Sequence, residues 1–224
     1  MLVGNDVVDL VDPGNQPGVI HPRFDARVFT SAERAGLAEH ERLRGEAAAH
    51  RLRWSLWAAK ESAFKAARKL DEGVRFLPKR FSVRFTGGVS AVVGHVDVRR
   101  SLGRFDVAFL GAGEWVHAIA RHRNPSVRPS EPGTWPPEPG ERHRVSAVVE
   151  RIGPAATPLE ASERVRALAR RVLGRALAIA PSEIEVIATG RIPEARWRDA
   201  PLPVDLSLSH HGRFLACALS SPLP

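Results

Sequence analysis

The sequence predicts an α+β protein built as a pseudo-twofold pair of similar halves, each an antiparallel sheet packed on a long helix. Three observations predict it. The stretch Arg53–Ala67 holds neither Gly nor Pro and is rich in strong helix formers. Beyond Gly73 the apolar residues recur at every second position, the period of a strand. After a Pro-rich stretch, a helix followed by strands returns in shorter form, and its last strand, Phe214–Leu219, resembles Trp115–Ala120 at the end of the first half.

Taken in order, Leu2, Val3, Val7, Val8 and Leu10 make a short buried strand, in which Gly4 permits close approach of another backbone. Pro13, Gly14, Pro17 and Gly18 mark a loop. Residues 25–39 read as a short helix followed by a new one capped at Thr30 or Ser31. A long helix is expected over 40–70, with Gly45 a possible break. At about 100° per residue, Leu52, Leu56, Ala59, Ala63, Ala66, Ala67 and Leu70 gather on one side of it, and Trp57, Glu61, Lys65 and Arg68 on the other. Strands follow at 81–85, 91–93, 96–98, 105–109 and 115–120, joined by Gly-rich turns. His117 and His122 read as sheet-surface or edge residues and not as ligands.

Residues 124–140 hold six prolines and two glycines among few hydrophobes, an extended semi-rigid linker in which Trp135 is expected to dock on a neighbouring surface. The expected domain plan is 1–123, linker 124–143, and 144–224. In the second half a strand over 145–149 precedes a helix over 158–180. Its stripe is Val165, Leu168, Ala169, Val172, Leu173 and Ala176, with Arg164, Arg166, Arg170, Arg171 and Arg175 around it. Pro181-Ser182-Glu183 breaks that helix. A strand at 184–187, a turn at 190–193, a strand at 206–208, a turn at 210–212 and the strand 214–219 complete the chain.

The 224 residues suffice for one large domain or two small ones, and no apolar run approaches the ~20 residues that span a bilayer. Asp6 and Asp9 stand where a signal peptide would need basic and apolar regions, so a soluble cytoplasmic protein is expected. The one cysteine, Cys217, excludes internal disulfides and a cysteine-rich metal site, and its apolar neighbours favour a buried thiol. A net charge of +8 implies an acidic partner: nucleic acid, anionic lipid, an acidic protein or a phosphorylated ligand. The basic residues are dispersed and there is no Tyr, which disfavours a single-strand binder built on aromatic platforms.

Three short stretches carry chemistry-bearing side chains: Gly4-Asn5-Asp6, the run Trp57-Ala58-Ala59-Lys60-Glu61-Ser62-Ala63-Phe64-Lys65, and Ser207-Leu208-Ser209-His210. Each has an ordinary structural reading. Glu61 and Lys65 stand at i,i+4, a common stabilising pair of a solvated helix face. Asp6 can cap a loop, and His210 beside His211-Gly212 can belong to a turn.

Together the three stretches resemble the G-x-D, W-x-x-K-E-[AS]-x-x-K and S-[LI]-S-H motifs of the 4′-phosphopantetheinyl transferase superfamily. Gly190-Arg191-x-Pro193 resembles that family's G-K-P turn. The resemblance implies an active site in the cleft between the halves. It implies Mg²⁺-dependent transfer of phosphopantetheine from coenzyme A to a serine of an apo carrier protein, releasing 3′,5′-ADP. On the matching positions, Asp6 and Glu61 are the metal carboxylates, and Glu61 also takes the serine proton. Lys65 meets the pyrophosphate, Ser209 and His210 hold phosphate oxygens, and Gly190-Arg191 forms a phosphate contact in which Arg replaces the usual Lys. The monomeric type often carries an acid where this chain has Val8. Asp9, one residue on, falls on the opposite strand face and is not expected in the metal shell.

The order of the halves is the reverse of the usual monomeric two-half arrangement, so the resemblance points to a circularly permuted monomer, a pseudodimer in one chain. The short trimeric carrier-protein synthases share this motif order, but 149 positions separate Glu61 from His210 here. The implied partners are coenzyme A and an acidic acyl, peptidyl or aryl carrier of fatty-acid, polyketide or non-ribosomal peptide biosynthesis, with no nucleic acid and no membrane. A non-catalytic homologue that binds coenzyme A or a carrier is the second reading, and a basic nucleic-acid-binding protein the third.

Overall fold

The structure is a computed structural model that describes residues 1–86, 93–98, 102–122, 143–153 and 157–222. Most of the expected strand 91–93 and the linker, with Trp135, lie outside the described residues. The expected α+β class is the one observed. The first part runs β1 (Val3–Asp9), α1 (Phe24–Val28), α2 (Ser31–Arg44), α3 (Glu46–Leu70), β2 (Phe81–Phe85), β3 (Val93–Val98), β4 (Gly103–Ala112) and β5 (Trp115–His122). Its strands form one antiparallel sheet in the order β1-β5-β4-β3-β2. The second part runs β6 (His143–Arg151), α4 (Pro158–Leu177), β7 (Ile184–Thr189), β8 (Ile192–Trp197), β9 (Ala200–Pro201), β10 (Asp205–His211) and β11 (Phe214–Pro222). These strands form two small antiparallel sheets, β10-β11-β6 and β7-β8-β9.

Local chemistry explains the helix boundaries. Thr30 caps α2: its hydroxyl accepts from the Glu33 N–H while the Glu33 carboxylate accepts from the Thr30 N–H, a reciprocal capping box. The expected helix over 40–70 is two helices. Gly45, at φ +84°, ends α2 and starts α3, a conformation that L side chains rarely adopt. The second-half helix stops at Leu177 rather than 180, where Ala178 turns left-handed ahead of Pro181.

The alanine side of α3 lies on the five-stranded sheet, and Leu52, Leu56, Ala59, Ala63 and Ala66 share one core with Val8, Phe81, Val96, Phe105 and Ala118. Gly4 sets how closely β1 lies against α3: a Cβ there would sit 1.9 Å from the Ser62 carbonyl oxygen. The expected faces of α3 hold only in part. Leu70 is 42% exposed because α3 ends there, and Lys60, on neither expected face, is fully buried. A second core joins Val165, Leu168 and Leu173 of α4 to Ile184, Leu206, Leu215, Cys217 and Leu219. Burial raises the Cys217 thiol to about 12, so it stays protonated and inert.

Two expectations fail, one through the covering of a surface by distant chain and one through the width of a turn. His117 is not on an open sheet surface: it pairs with Val7 across β1–β5, on the face where Val7 packs against Phe214 and Ala216 of β11. It is fully buried with neither ring nitrogen hydrogen-bonded among the described residues, and burial, helped by Lys65, lowers it to about 3. β8 has no counterpart in the sequence reading, because Pro193 suggests a turn. The turn is narrower, at Gly190 (φ +64°), and Pro193 lies inside β8 opposite Ala188.

Candidate active site in a basic cleft

β1 is an edge strand, and its free edge is closed by side chains of β10 instead of a backbone ladder. Asp205 Oδ2 accepts from the Val3 N–H (2.6 Å), Ser207 Oγ from Asn5 (2.9 Å), Ser209 Oγ from Val7 (3.2 Å) and His211 Nδ1 from Asp9 (3.3 Å). The alternation of strand side chains makes this rung-by-rung match work: every second residue of β10 meets every second N–H of β1. On the same edge Lys69 Nζ donates to the Val3 carbonyl (2.6 Å) and Lys65 Nζ to the Asn5 carbonyl (2.9 Å). The G-x-D and S-x-S stretches are thus neighbours in space.

Asp6 lies at the centre of this junction, 9% exposed, on the side of β1 that faces α3. Its Oδ1 accepts from Lys65 Nζ (2.8 Å) and from Ser209 Oγ (2.8 Å). One turn of α3 before Lys65, Glu61 is half-buried. Burial, then the negative charge of Asp6, raise its carboxyl from the usual range to about 7, partly offset by Lys65. Asp6, Glu61 and Lys65 are therefore one electrostatic unit.

Lys65 also lines a solvent-open cleft of about 280 Å³ between α3 and the second part of the chain. α3 contributes Phe64, Lys65, Arg68 and Lys69, and α4 contributes Ser162, Val165 and Arg166. Arg191, Ile192 and Pro193, with Ser207, Leu208 and His210, complete the opposite wall. The lining is an apolar floor edged by five cations, which suits a flat apolar ring carrying phosphates. His210 is pushed below its ordinary value by burial, then by Lys65 and His211, so at pH 7 it is neutral and offers one donor and one acceptor.

Not every expected residue lines that cleft. Lys65, Arg191 and His210 do; Gly190 only turns the chain into Arg191. Ser209 is 5% exposed and turned inward, its hydroxyl engaged by Val7 and Asp6. Asp9 is held by Arg213, whose Nε and Nη2 each lie 2.8 Å from a carboxylate oxygen. Sequence reasoning did not assign Arg68, Lys69 and Arg166 to the cleft. The available signal was spacing, Lys69 standing four residues after Lys65 on the same helix face.

Among the described residues no group of three or more His, Cys, Asp or Glu is arranged to hold a metal ion. The Asp6–Glu61 pair still fits Mg²⁺, which binds through one or two carboxylates and completes its shell with water and phosphate oxygens. Burial and then the charge of Asp6 raise Glu61, and a divalent cation would relieve the second of these. Because a ligating carboxylate must be ionised, Mg²⁺ binding is expected to release a proton below about pH 7 and to tighten as pH rises through about 7. Calorimetric titration in buffers of differing ionisation enthalpy reads both effects, and an affinity flat across that range would count against Glu61 as a ligand.

The sequence model of a family described as the 4′-phosphopantetheinyl transferase superfamily matches residues 2–120, the stretch from β1 through most of β5. No curated protein matches the chain. Among solved structures, one of apo-ACPS from Chronobacterium ammoiniagenes is similar at 19% sequence identity and a TM-score of 0.40, over 53% of this chain and 92% of that chain.

Proposed function

The chain belongs to the 4′-phosphopantetheinyl transferase superfamily, and from that premise we propose that it transfers the 4′-phosphopantetheine arm of coenzyme A to a serine of an apo carrier protein, with Mg²⁺ and with release of 3′,5′-ADP. The observation that carries this reading is the coupling of Asp6 and Glu61 to Lys65, which itself lines a cleft edged by five cations.

In this reading the chemistry is attack of the serine oxygen on the phosphorus next to the pantetheine arm. The serine O–P bond forms as the bond to the bridging pyrophosphate oxygen breaks. Glu61, whose carboxyl is raised to about 7 in the metal-free chain and is ionised when it ligates a cation, takes the hydroxyl proton. Lys65 neutralises charge developing on the pyrophosphate, and neutral His210 donates a hydrogen bond to a phosphate oxygen. Arg191, with Arg68 and Arg166 across the cleft, holds the remaining phosphate, where a guanidinium can engage two oxygens at once. Asp6 and Glu61 would hold Mg²⁺, which supplies further neutralisation of the phosphate oxygens.

The same reading covers organisation and partner. One chain supplies both the G-x-D half (1–123) and the S-L-S-H half (144–224), so a monomer has a complete site. β1 begins beside Asp205, and Asp205 lies opposite Ser220 near the end of β11. A short connection there, in place of residues 124–143, would give the two halves in the opposite order, which supports circular permutation. The positive balance suits steering of an acidic carrier.

The test is incubation with coenzyme A, Mg²⁺ and apo carriers of the acyl, peptidyl and aryl kinds. A gain of one phosphopantetheine on the carrier serine is expected in at least one. Binding of coenzyme A with no gain on any of them would replace the transferase reading with that of a binding homologue.

A further inference from the structure

We propose that Ser209 is a positioning residue for the metal carboxylate Asp6, acting through one hydrogen bond. This rests on Asp6 being a metal ligand, as read above. The serine pair of the S-L-S-H stretch then serves the edge of β1, and the second serine alone extends that service into the site.

The four β10 side chains on the β1 edge are equivalent as acceptors, but they differ in what else they do. Ser207 and His211 accept a backbone N–H from β1. Asp205 accepts from Val3 and is bound by Lys69 Nζ at 2.9 Å. Only Ser209 passes a hydrogen bond on to a carboxylate of the acidic pair, donating to Asp6 Oδ1 at 2.8 Å. A hydroxyl has one proton to give. With the Val7 N–H pointing at one of its lone pairs, that proton is directed at Asp6 and not at the cleft.

The consequence falls on Asp6. Its Oδ1 is fixed between two donors, Lys65 and Ser209, while Oδ2 accepts no hydrogen bond among the described residues. The two donors set the carboxylate plane and leave Oδ2 as the oxygen with free lone pairs. Partners that orient a metal ligand in this way typically change metal affinity by about 10–100-fold when removed. Ser209 is 5% exposed, so substrate reaches it only if this arrangement breaks.

The experiment compares Ser209→Ala, Ser209→Cys and Ser209→Thr with His211→Ala, which removes a rung of the same kind at the far end of the strand. Mg²⁺ affinity is read by calorimetry on the full chain without substrate, and the KM for coenzyme A is read separately in the transfer assay. Ser209→Ala and Ser209→Cys are expected to bind Mg²⁺ about tenfold more weakly. Ser209→Thr is expected to restore it, His211→Ala to leave it unchanged, and the coenzyme A KM to move less than about twofold. If Ser209→Ala does not fold, Ser209→Cys carries the test, because the thiol keeps the size and loses the strong donor. Unchanged Mg²⁺ affinity, or a raised coenzyme A KM with metal binding intact, overturns the proposal. A wild-type chain that binds Mg²⁺ but modifies no carrier defeats the transferase reading alone, and one that modifies a carrier but binds no Mg²⁺ defeats this proposal alone.

Discussion

Glu61→Gln is expected to lower the rate of carrier modification by about 10²–10⁴-fold while leaving the fold intact. The amide keeps the shape and hydrogen-bonding ability of the side chain and removes only its capacity to take a proton or to ligate as an anion. The stability effect has a defined sign. Glu61 titrates at about 7 in the folded chain, against 4.5 for the ordinary carboxyl. The folded state therefore holds more protons between those values, and the wild type loses stability as pH rises through that window. The neutral amide escapes this loss, so the variant melts at or above the wild-type temperature near pH 8 and shows no excess stability below about pH 4.5. Steady-state kinetics and melting by circular dichroism read the two effects on one sample. A rate within a few-fold of wild type would remove Glu61 as the base, whatever its pKa.

Lys60→Met is expected to cost about 3–5 kcal/mol of unfolding free energy, the typical effect of removing one partner of a buried ion pair. Lys60 precedes Glu61 but points to the other side of α3, into the core. Its Nζ lies 2.8 Å from both Glu33 carboxylate oxygens and donates to the Phe81 (2.5 Å) and Pro78 (3.2 Å) carbonyls. Glu33 in turn accepts from the Thr30 N–H (2.7 Å) and the Val83 N–H (2.8 Å), so one ion pair ties α2, α3 and the start of β2. Methionine fills the volume of the lysine stem and leaves an unpaired carboxylate that is 3% exposed. Lys60→Met combined with Glu33→Gln should recover part of the loss: no buried charge remains, but the single amide oxygen can accept from only one of the Thr30 and Val83 N–H groups, and the amide nitrogen faces the other. Urea unfolding of the two single variants and the double variant measures the coupling. A single variant within about 1 kcal/mol of wild type would mean that the pair is not a support of α3.

These two neighbours on α3 show where sequence reasoning stops. The helix itself was legible, because fifteen residues without a breaker and an alanine stripe fix its existence and the side that packs on the sheet. So was the Thr30 cap, a purely local device. That Lys60 is buried was not, because burial of a cation depends on Glu33, 27 residues away, and on carbonyls of a segment that follows the helix. The same holds for Ser209. Its motif suggests contact with phosphate, and only the arrival of β1 beside β10 reveals that its hydroxyl is already committed.

Periodicity, capping residues and motif spacing determined the class of fold, most of the elements and the identity of the acidic and basic side chains, since those follow from the chain's own neighbours within a few residues. Which of them meet was decided by packing. Asp6 and Ser209 are 203 positions apart and lie in hydrogen-bond contact, a relation that exists only once two strands share an edge. Burial then sets the chemistry: removal from water, more than any residue's identity, raises Glu61 to about 7 and lowers His117 to about 3.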